Sequence, residues 1–256
     1  MTTFIAVVSG KGGLGKTSFT LNLASALESF SRSTLIVDLH LTKPNLGLYL
    51  GYMNPPKTVN SALNGSHKMY DAIYTHPSGI DLIPADSSLS KPKVYSTQQI
   101  SDALLDLLNK AEVVLIDTPD LQDCEPILRA CDSAIVLTQA NLVAVSDTLK
   151  AISLLNSIHK KILGAVIMQS RKRHFDLAVD DMQSVLRTKL IGEVPYDETV
   201  EHAHSLKHPV VYAHSQTPAS IAYKKIAANL IGQTYEDSLQ KKMTFWEYLK
   251  KRSGFE

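Results

Sequence analysis

The sequence predicts an α/β protein with a doubly wound, mostly parallel sheet and helices on both faces. Three observations predict it. Short, β-branched apolar runs alternate with longer stretches of helical period. The runs are apolar throughout, the pattern of strands buried on both faces. At 256 residues the chain can bury the core such a sheet needs.

The elements follow in order. Phe-Ile-Ala-Val-Val at 4–8 predicts the first strand, and helical period predicts a helix over 16–30. Thr-Leu-Ile-Val at 34–37 and Ile-Asp-Leu-Ile at 80–83 predict the next two strands, with a helix over 97–110. Val-Val-Leu-Ile at 113–116 and Ala-Ile-Val-Leu at 134–137 flank a short helix at 125–130. A helix over 146–159 leads to Leu-Gly-Ala-Val-Ile-Met at 163–168, followed by helices over 175–186, 199–207 and 218–231. No repeat or Pro/Gly-rich linker interrupts residues 1–232, which are expected to form one domain; 233–256 turns polar, basic and aromatic and reads as a separate tail.

Composition narrows the function. Lys plus Arg number 26 against 25 Asp plus Glu, so there is no global attraction to nucleic acid or an anionic membrane, and any such contact is local. Cys124 and Cys131 fit neither a disulfide framework nor a common zinc or iron–sulfur spacing, and read as reduced thiols. The N-terminus lacks the pattern of a signal peptide, and no run of 18 apolar residues predicts a membrane span. A cytoplasmic protein is expected.

Gly10-Lys11-Gly12-Gly13-Leu14-Gly15-Lys16-Thr17 satisfies G-x-x-x-x-G-K-[ST] between a strand and a helix, the context that gives the motif meaning. Glycines let backbone N–H groups converge on phosphate oxygens, and the helix N-terminus adds its positive end. Lys16 suits the β/γ oxygens, and the Thr17 hydroxyl can ligate Mg²⁺. Lys11 has no place in that scheme.

With this second lysine the loop resembles the deviant Walker A motif of the MinD/ParA ATPases. The resemblance implies that Lys11 reaches across a dimer interface to the nucleotide of the other subunit, where a cation counters transition-state charge. Val37-Asp38-Leu39-His40-Leu41-Thr42-Lys43-Pro44-Asn45-Leu46 is similar to the MinD switch I segment. Val113-Val114-Leu115-Ile116-Asp117-Thr118-Pro119 is similar to the Walker B strand that begins switch II. The stretch Val194-Pro195-Tyr196-Asp197-Glu198 tracks the region that supplies backbone contacts to adenine. The implied ATP-binding set is Gly10, Lys11, Gly12, Gly13, Leu14, Gly15, Lys16, Thr17, Ser18, Gln169, Pro195, Tyr196 and Asp197, with Thr17, Asp38 and Asp117 around Mg²⁺ directly or through water. The implied cofactors are ATP and Mg²⁺.

Three positions depart from the family. His40 stands where a second switch I aspartate orients the attacking water, so the catalytic set reads Lys11, Lys16 and, in the aspartate's place, His40. Asp120 follows the Walker B strand in place of a small residue. It reads as an exposed loop aspartate or helix N-cap, with a carboxylate near the γ-phosphate as the other reading. Gln169 replaces an asparagine and offers the same amide from a longer arm.

In the tail, Leu239, Met243, Phe245, Trp246 and Leu249 share one helical face with Lys241, Lys251 and Arg252 outside it, while Lys242 and Lys250 intrude on that face and would have to snorkel. That suits an interfacial membrane helix, with Met243, Phe245, Trp246 and Leu249 as the membrane-contacting set, and MinD proteins typically end in such a sequence. A terminal helix packed on the domain or on a protein partner is the other reading. The expected function is thus a MinD-like ATPase forming an ATP-dependent homodimer. It would associate peripherally with the inner face of the cell membrane, engage an unidentified activator or cargo protein, and position division, motility or polar machinery. Two alternatives remain: a nucleotide-gated scaffold with little turnover, because His40 replaces the aspartate, and a ParA-like DNA-partitioning ATPase using the basic cluster Arg171-Lys172-Arg173-His174.

Overall fold

The computed structural model describes residues 2–87 and 94–236. The tail expectation, with Met243, Phe245, Trp246 and Leu249, lies outside them. Eight strands form one sheet: β1 (Thr3–Ser9), β2 (Thr34–Asp38), β3 (Tyr74–Thr75), β4 (Asp81–Ile83), β5 (Val113–Asp117), β6 (Ser133–Thr138), β7 (Lys161–Ser170) and β8 (Leu190–Pro195). Their order is β3-β4-β2-β5-β1-β6-β7-β8. β3 pairs antiparallel with β4, and every other pair is parallel.

The pleat divides the core into two layers. Phe4, Ala6 and Val8 of β1, with Val114 and Ile116 of β5, face one layer, and Ile5, Val7 and Leu115 face the other. The second layer is covered by α1 (Lys16–Glu28), α2 (Leu46–Leu50), α8 (Thr199–Ser205), α9 (Val210–Ala213) and α10 (Pro218–Leu230). The first is covered by α3 (Val59–Leu63), α4 (Thr97–Leu105), α5 (Glu125–Ala130), α6 (Leu142–Ser157) and α7 (Val179–Leu186). Both layers sit on strands whose C-terminal ends meet at β1 and its neighbours, where a doubly wound sheet places its ligand crevice.

The elements differ from expectation at the edges and ends, each for a local reason. β8 reads Leu-Ile-Gly-Glu-Val-Pro, not a continuous apolar run, because it is an edge strand only partly buried. The expected helix over 97–110 stops at Leu105, where Leu107 and Leu108 donate to Leu104 and Leu105 and tighten the last turn. The helix expected from 146 starts at Leu142, because the Asn141 side chain accepts from the Ala144 N–H and caps it. The helix expected from 175 starts at Val179. The Asp176 carboxylate accepts from the Arg173 N–H and closes a turn, and Leu177 donates to the Ala140 carbonyl.

One packing contact sets the position of the glycine loop. A Cβ on Gly10 would lie 2.0 Å from the Asp147 carbonyl oxygen of α6, so this residue must be glycine for the loop to pass beneath that helix. Gly10→Ala is therefore expected to destabilise the chain by about 1–3 kcal/mol in urea unfolding, as overpacking does. Unchanged stability would show that the loop and α6 are not held this closely.

Candidate functional site

The site is built where β1 ends and α1 begins. Gly15 adopts a left-handed conformation (φ +86°) and α1 starts with no side-chain cap, so the N–H groups of its first turn have no side chain answering them. No acidic residue occupies that turn. An uncapped, unneutralised helix N-terminus beside a glycine loop is suited to an anion.

Two side chains leave α1 in opposite directions. The Thr17 hydroxyl donates to Asp117 Oδ2 at 2.5 Å, tying the loop to the end of β5. Lys16, almost wholly buried, places Nζ 3.4 Å from Ser9 Oγ and 3.5 Å from Asp120 Oδ1. Asp120 stands at the N-cap position of the 3₁₀ turn Leu121–Asp123, yet its side chain makes no capping bond. The capping reading is therefore corrected: the carboxylate turns to Lys16 and lies so near Gly12 that a Cβ there would be 2.9 Å from it.

Asp38 and Asp117 end neighbouring strands in register, and both are fully buried. Asp38 accepts from the backbone N–H groups of His40, at 3.1 Å, and Leu46, at 3.2 Å, which folds the β2–α2 segment around it. Burial, and then the Asp117 charge, push its carboxyl well above the usual range. Burial pushes Asp117 up to about 6, with Thr17 and Lys16 acting in the opposite direction. Asp117 Oδ1 has no hydrogen-bond partner among the described residues. A buried, unpartnered carboxylate oxygen beside a second carboxylate and a threonine hydroxyl is an all-oxygen donor set that fits Mg²⁺.

A cleft of about 490 Å³ runs over the start of α1. Gly12, Gly13, Gly15, Lys16, Thr17, Ser18, Gln169, Pro195, Tyr196 and Asp197, all expected from the sequence, line it. His40 and Asp120 stand at its phosphate-loop end with Lys16. Burial, and then Lys16, hold the His40 imidazole below its ordinary value, so it resists protonation. Gly10 packs under α6, and Leu14 points into the interior at 1 % exposure. Lys11 does not line the cleft of its own chain and has no carboxylate partner among the described residues.

At the other end, Gln169 takes a left-handed backbone (φ +53°) and its amide oxygen accepts from Gln139 Nε2 at 3.1 Å. Arg171 stacks over the Tyr196 ring at 3.9 Å. Burial alone would raise Asp197, but donors from Thr199 and the Ala219 N–H bring it below its usual value. Its carboxylate thus anchors the starts of α8 and α10, and residues 195–197 line the cleft.

Sequence reasoning missed the wall made by α2 and α8. Tyr49 stacks on His204 with centroids 4.3 Å apart and planes at 12°, and His204 Nε2 lies 3.4 Å from Ser18 Oγ. No local motif signals this pair, because the two residues are 155 positions apart and meet only when α8 folds over α1.

This arrangement matches a known family: the ParA model, described as an NUBPL iron-transfer P-loop NTPase, covers residues 1–231. The chain belongs to the ParA family of P-loop NTPases. It is 34% identical over 244 residues to an uncharacterized ATP-binding protein of Methanocaldococcus jannaschii, covering 94% of this chain and 92% of that one. Among solved structures, the cell division ATPase MinD of Pyrococcus furiosus superposes with a TM-score of 0.84 at 27% identity, over 91% of this chain and 99% of that one. The septum site-determining protein MinD of Pyrococcus horikoshii, solved with Mg-ADP, gives 0.83 at 27% identity, over 94% and 98%. ParA-family P-loop ATPases use ATP with Mg²⁺. Both cysteine thiols of the present chain are buried, and burial pushes each up to about 12.

Burial pushes His204 down to about 4, with Lys207 adding to the effect. The unfolded chain would take up this proton near pH 6.5 while the folded chain holds the ring neutral until about 4. Stability from this group is therefore present above 6.5 and lost as pH falls toward 4, by up to about 1.4 kcal/mol per unit. His204→Gln is expected to flatten the fall of unfolding free energy between pH 6.5 and 4.5. Identical slopes in the two proteins would contradict a half-buried His204 held neutral.

Proposed function

We propose that this ParA-family protein is a MinD-like switch, in which ATP draws two copies face to face and hydrolysis or exchange separates them. Lys11 carries the reading. A cation in a glycine loop that already has Lys16, outside its own cleft and free of any carboxylate partner among the described residues, supports the reading, because it would be available to a nucleotide held by a second copy. Thr17, Asp117 and, behind its backbone donors, Asp38 would hold Mg²⁺. That ion, when bound, supplies positive charge to the β- and γ-phosphate oxygens.

The tail at 233–256 would add weak membrane affinity, and pairing two tails in a dimer strengthens it through effective concentration. Among the described residues no helix is long and apolar enough to cross a membrane. In this reading the tail would attach peripherally, as an interfacial helix. The cycle would position division, motility or polar machinery through an activator or cargo protein. A second reading, a nucleotide-gated scaffold with little turnover, draws support from His40: its buried imidazole lies near Lys16 and offers no carboxylate to an attacking water.

Both parts are tested on one preparation with anionic liposomes and Mg-ATP. Wild-type phosphate release is expected to exceed that of Lys16→Ala by at least about 100-fold. Sedimentation with liposomes is expected to require ATP and the residues after 238. Release no faster than in Lys16→Ala would favour the scaffold, and sedimentation indifferent to ATP and truncation would remove the membrane switch.

A further inference from the structure

The attacking water of a phosphoryl transfer needs a group to orient it and to accept its proton. His40 brings no carboxylate to that task, and it is nearly enclosed. The same end of the cleft holds one carboxylate, Asp120, that no strand or helix cap uses. Its side chain is 38 % exposed, open to water from the cleft, while the Lys16 it pairs with is nearly enclosed.

The position of Asp120 follows from two contacts. Oδ1 lies 3.5 Å from Lys16 Nζ, the atom that suits β/γ-phosphate oxygens, so a phosphoryl oxygen held by Lys16 would lie within about two hydrogen-bond lengths of it. That is within the reach of one bridging water molecule. Gly12 presents no side chain between them, and a Cβ there would crowd the carboxylate at 2.9 Å.

We propose that Asp120 is the catalytic carboxylate that holds the attacking water, in place of the one missing at position 40. The proposal rests on the ATP reading above. Asp120 is the anion that answers Lys16. When phosphate oxygens take over Lys16, the carboxylate is left facing the cleft with its lone pairs free. The water oxygen then bonds to the γ-phosphorus as the bond to the β–γ bridging oxygen breaks. The leaving electron pair stays on ADP, and the water proton passes to Asp120 and from there to solvent or phosphate. Repulsion between Asp120 and the γ-phosphate is countered by Lys16 and by Lys11 of a second copy.

The two roles of Asp120 give opposite signs in one variant. Asp120→Asn keeps shape but loses the charge that competes for Lys16 and the base that accepts the proton. A fluorescent ATP analogue titrated in Mg²⁺ is expected to bind several-fold tighter. Single-turnover phosphate release at saturating ATP is expected to slow by about 100-fold, with Asp120→Glu recovering part of the rate. Tighter binding with release as fast as wild type would overturn the proposal and leave Asp120 only a counter-ion of Lys16. Weaker binding with release reduced in proportion would overturn it in favour of a structural role. Wild-type release no faster than Lys16→Ala would overturn both this proposal and the ATPase reading, whereas an active wild type matched by Asp120→Asn overturns this proposal alone.

Discussion

Two carboxylates buried side by side at the ends of β2 and β5 are the constraint on which the site depends. Asp38 and Asp117 are both fully enclosed, and each raises the cost of ionising the other. Charge in such a place is destabilising unless donors or a cation answer it. Asp38 is answered by the backbone of the segment that follows β2, Asp117 by the Thr17 hydroxyl, and one Asp117 oxygen by nothing among the described residues. The two bonds from Asp38 shape the turn leading to α2, and the bond to Thr17 fixes where α1 starts. The glycine loop is thereby held between β1, β5 and the α6 backbone that touches Gly10.

Lys16 is the counterpart of this pair. It is the buried cation of the site, and a carboxylate from the loop after β5 answers it. The two halves of the site thus have opposite needs: a cation beside Asp117 and an anion beside Lys16. A Mg²⁺-bound nucleotide would meet both at once and, in the proposed cycle, would release Asp120 from Lys16. That exchange would link the occupancy of the loop to the segment beyond β5, a local charge change of the kind a second copy could sense.

Much of the fold was legible because the interior strands are enclosed on both faces and so read as unbroken apolar runs. β8 was not legible, since an edge strand tolerates Gly192 and Glu193, and β3 is only two residues long. The phosphate loop was legible because its chemistry is local: eight consecutive residues carry the bend, the cation and the hydroxyl. Asp117 could be placed because a strand ends on it. Tyr49 and His204 could not, because they belong to short helices whose meeting depends on how α8 crosses α1. The capping alternative for Asp120 failed for a related reason. An aspartate before a helical turn has a local use, and the distant charge that outcompetes that use, Lys16, is 104 positions away.

The central claim is that the orphaned Asp117 oxygen and the buried Lys16 are complementary to a metal-bound nucleotide. Thermal unfolding of the full chain with ATP, with and without EDTA, and with Mg²⁺ alone tests it most directly. The account predicts a large upward shift in Tm only when ATP and Mg²⁺ are present together, because each alone satisfies one half of the site. Equal stabilisation by ATP in EDTA and by Mg-ATP would contradict it.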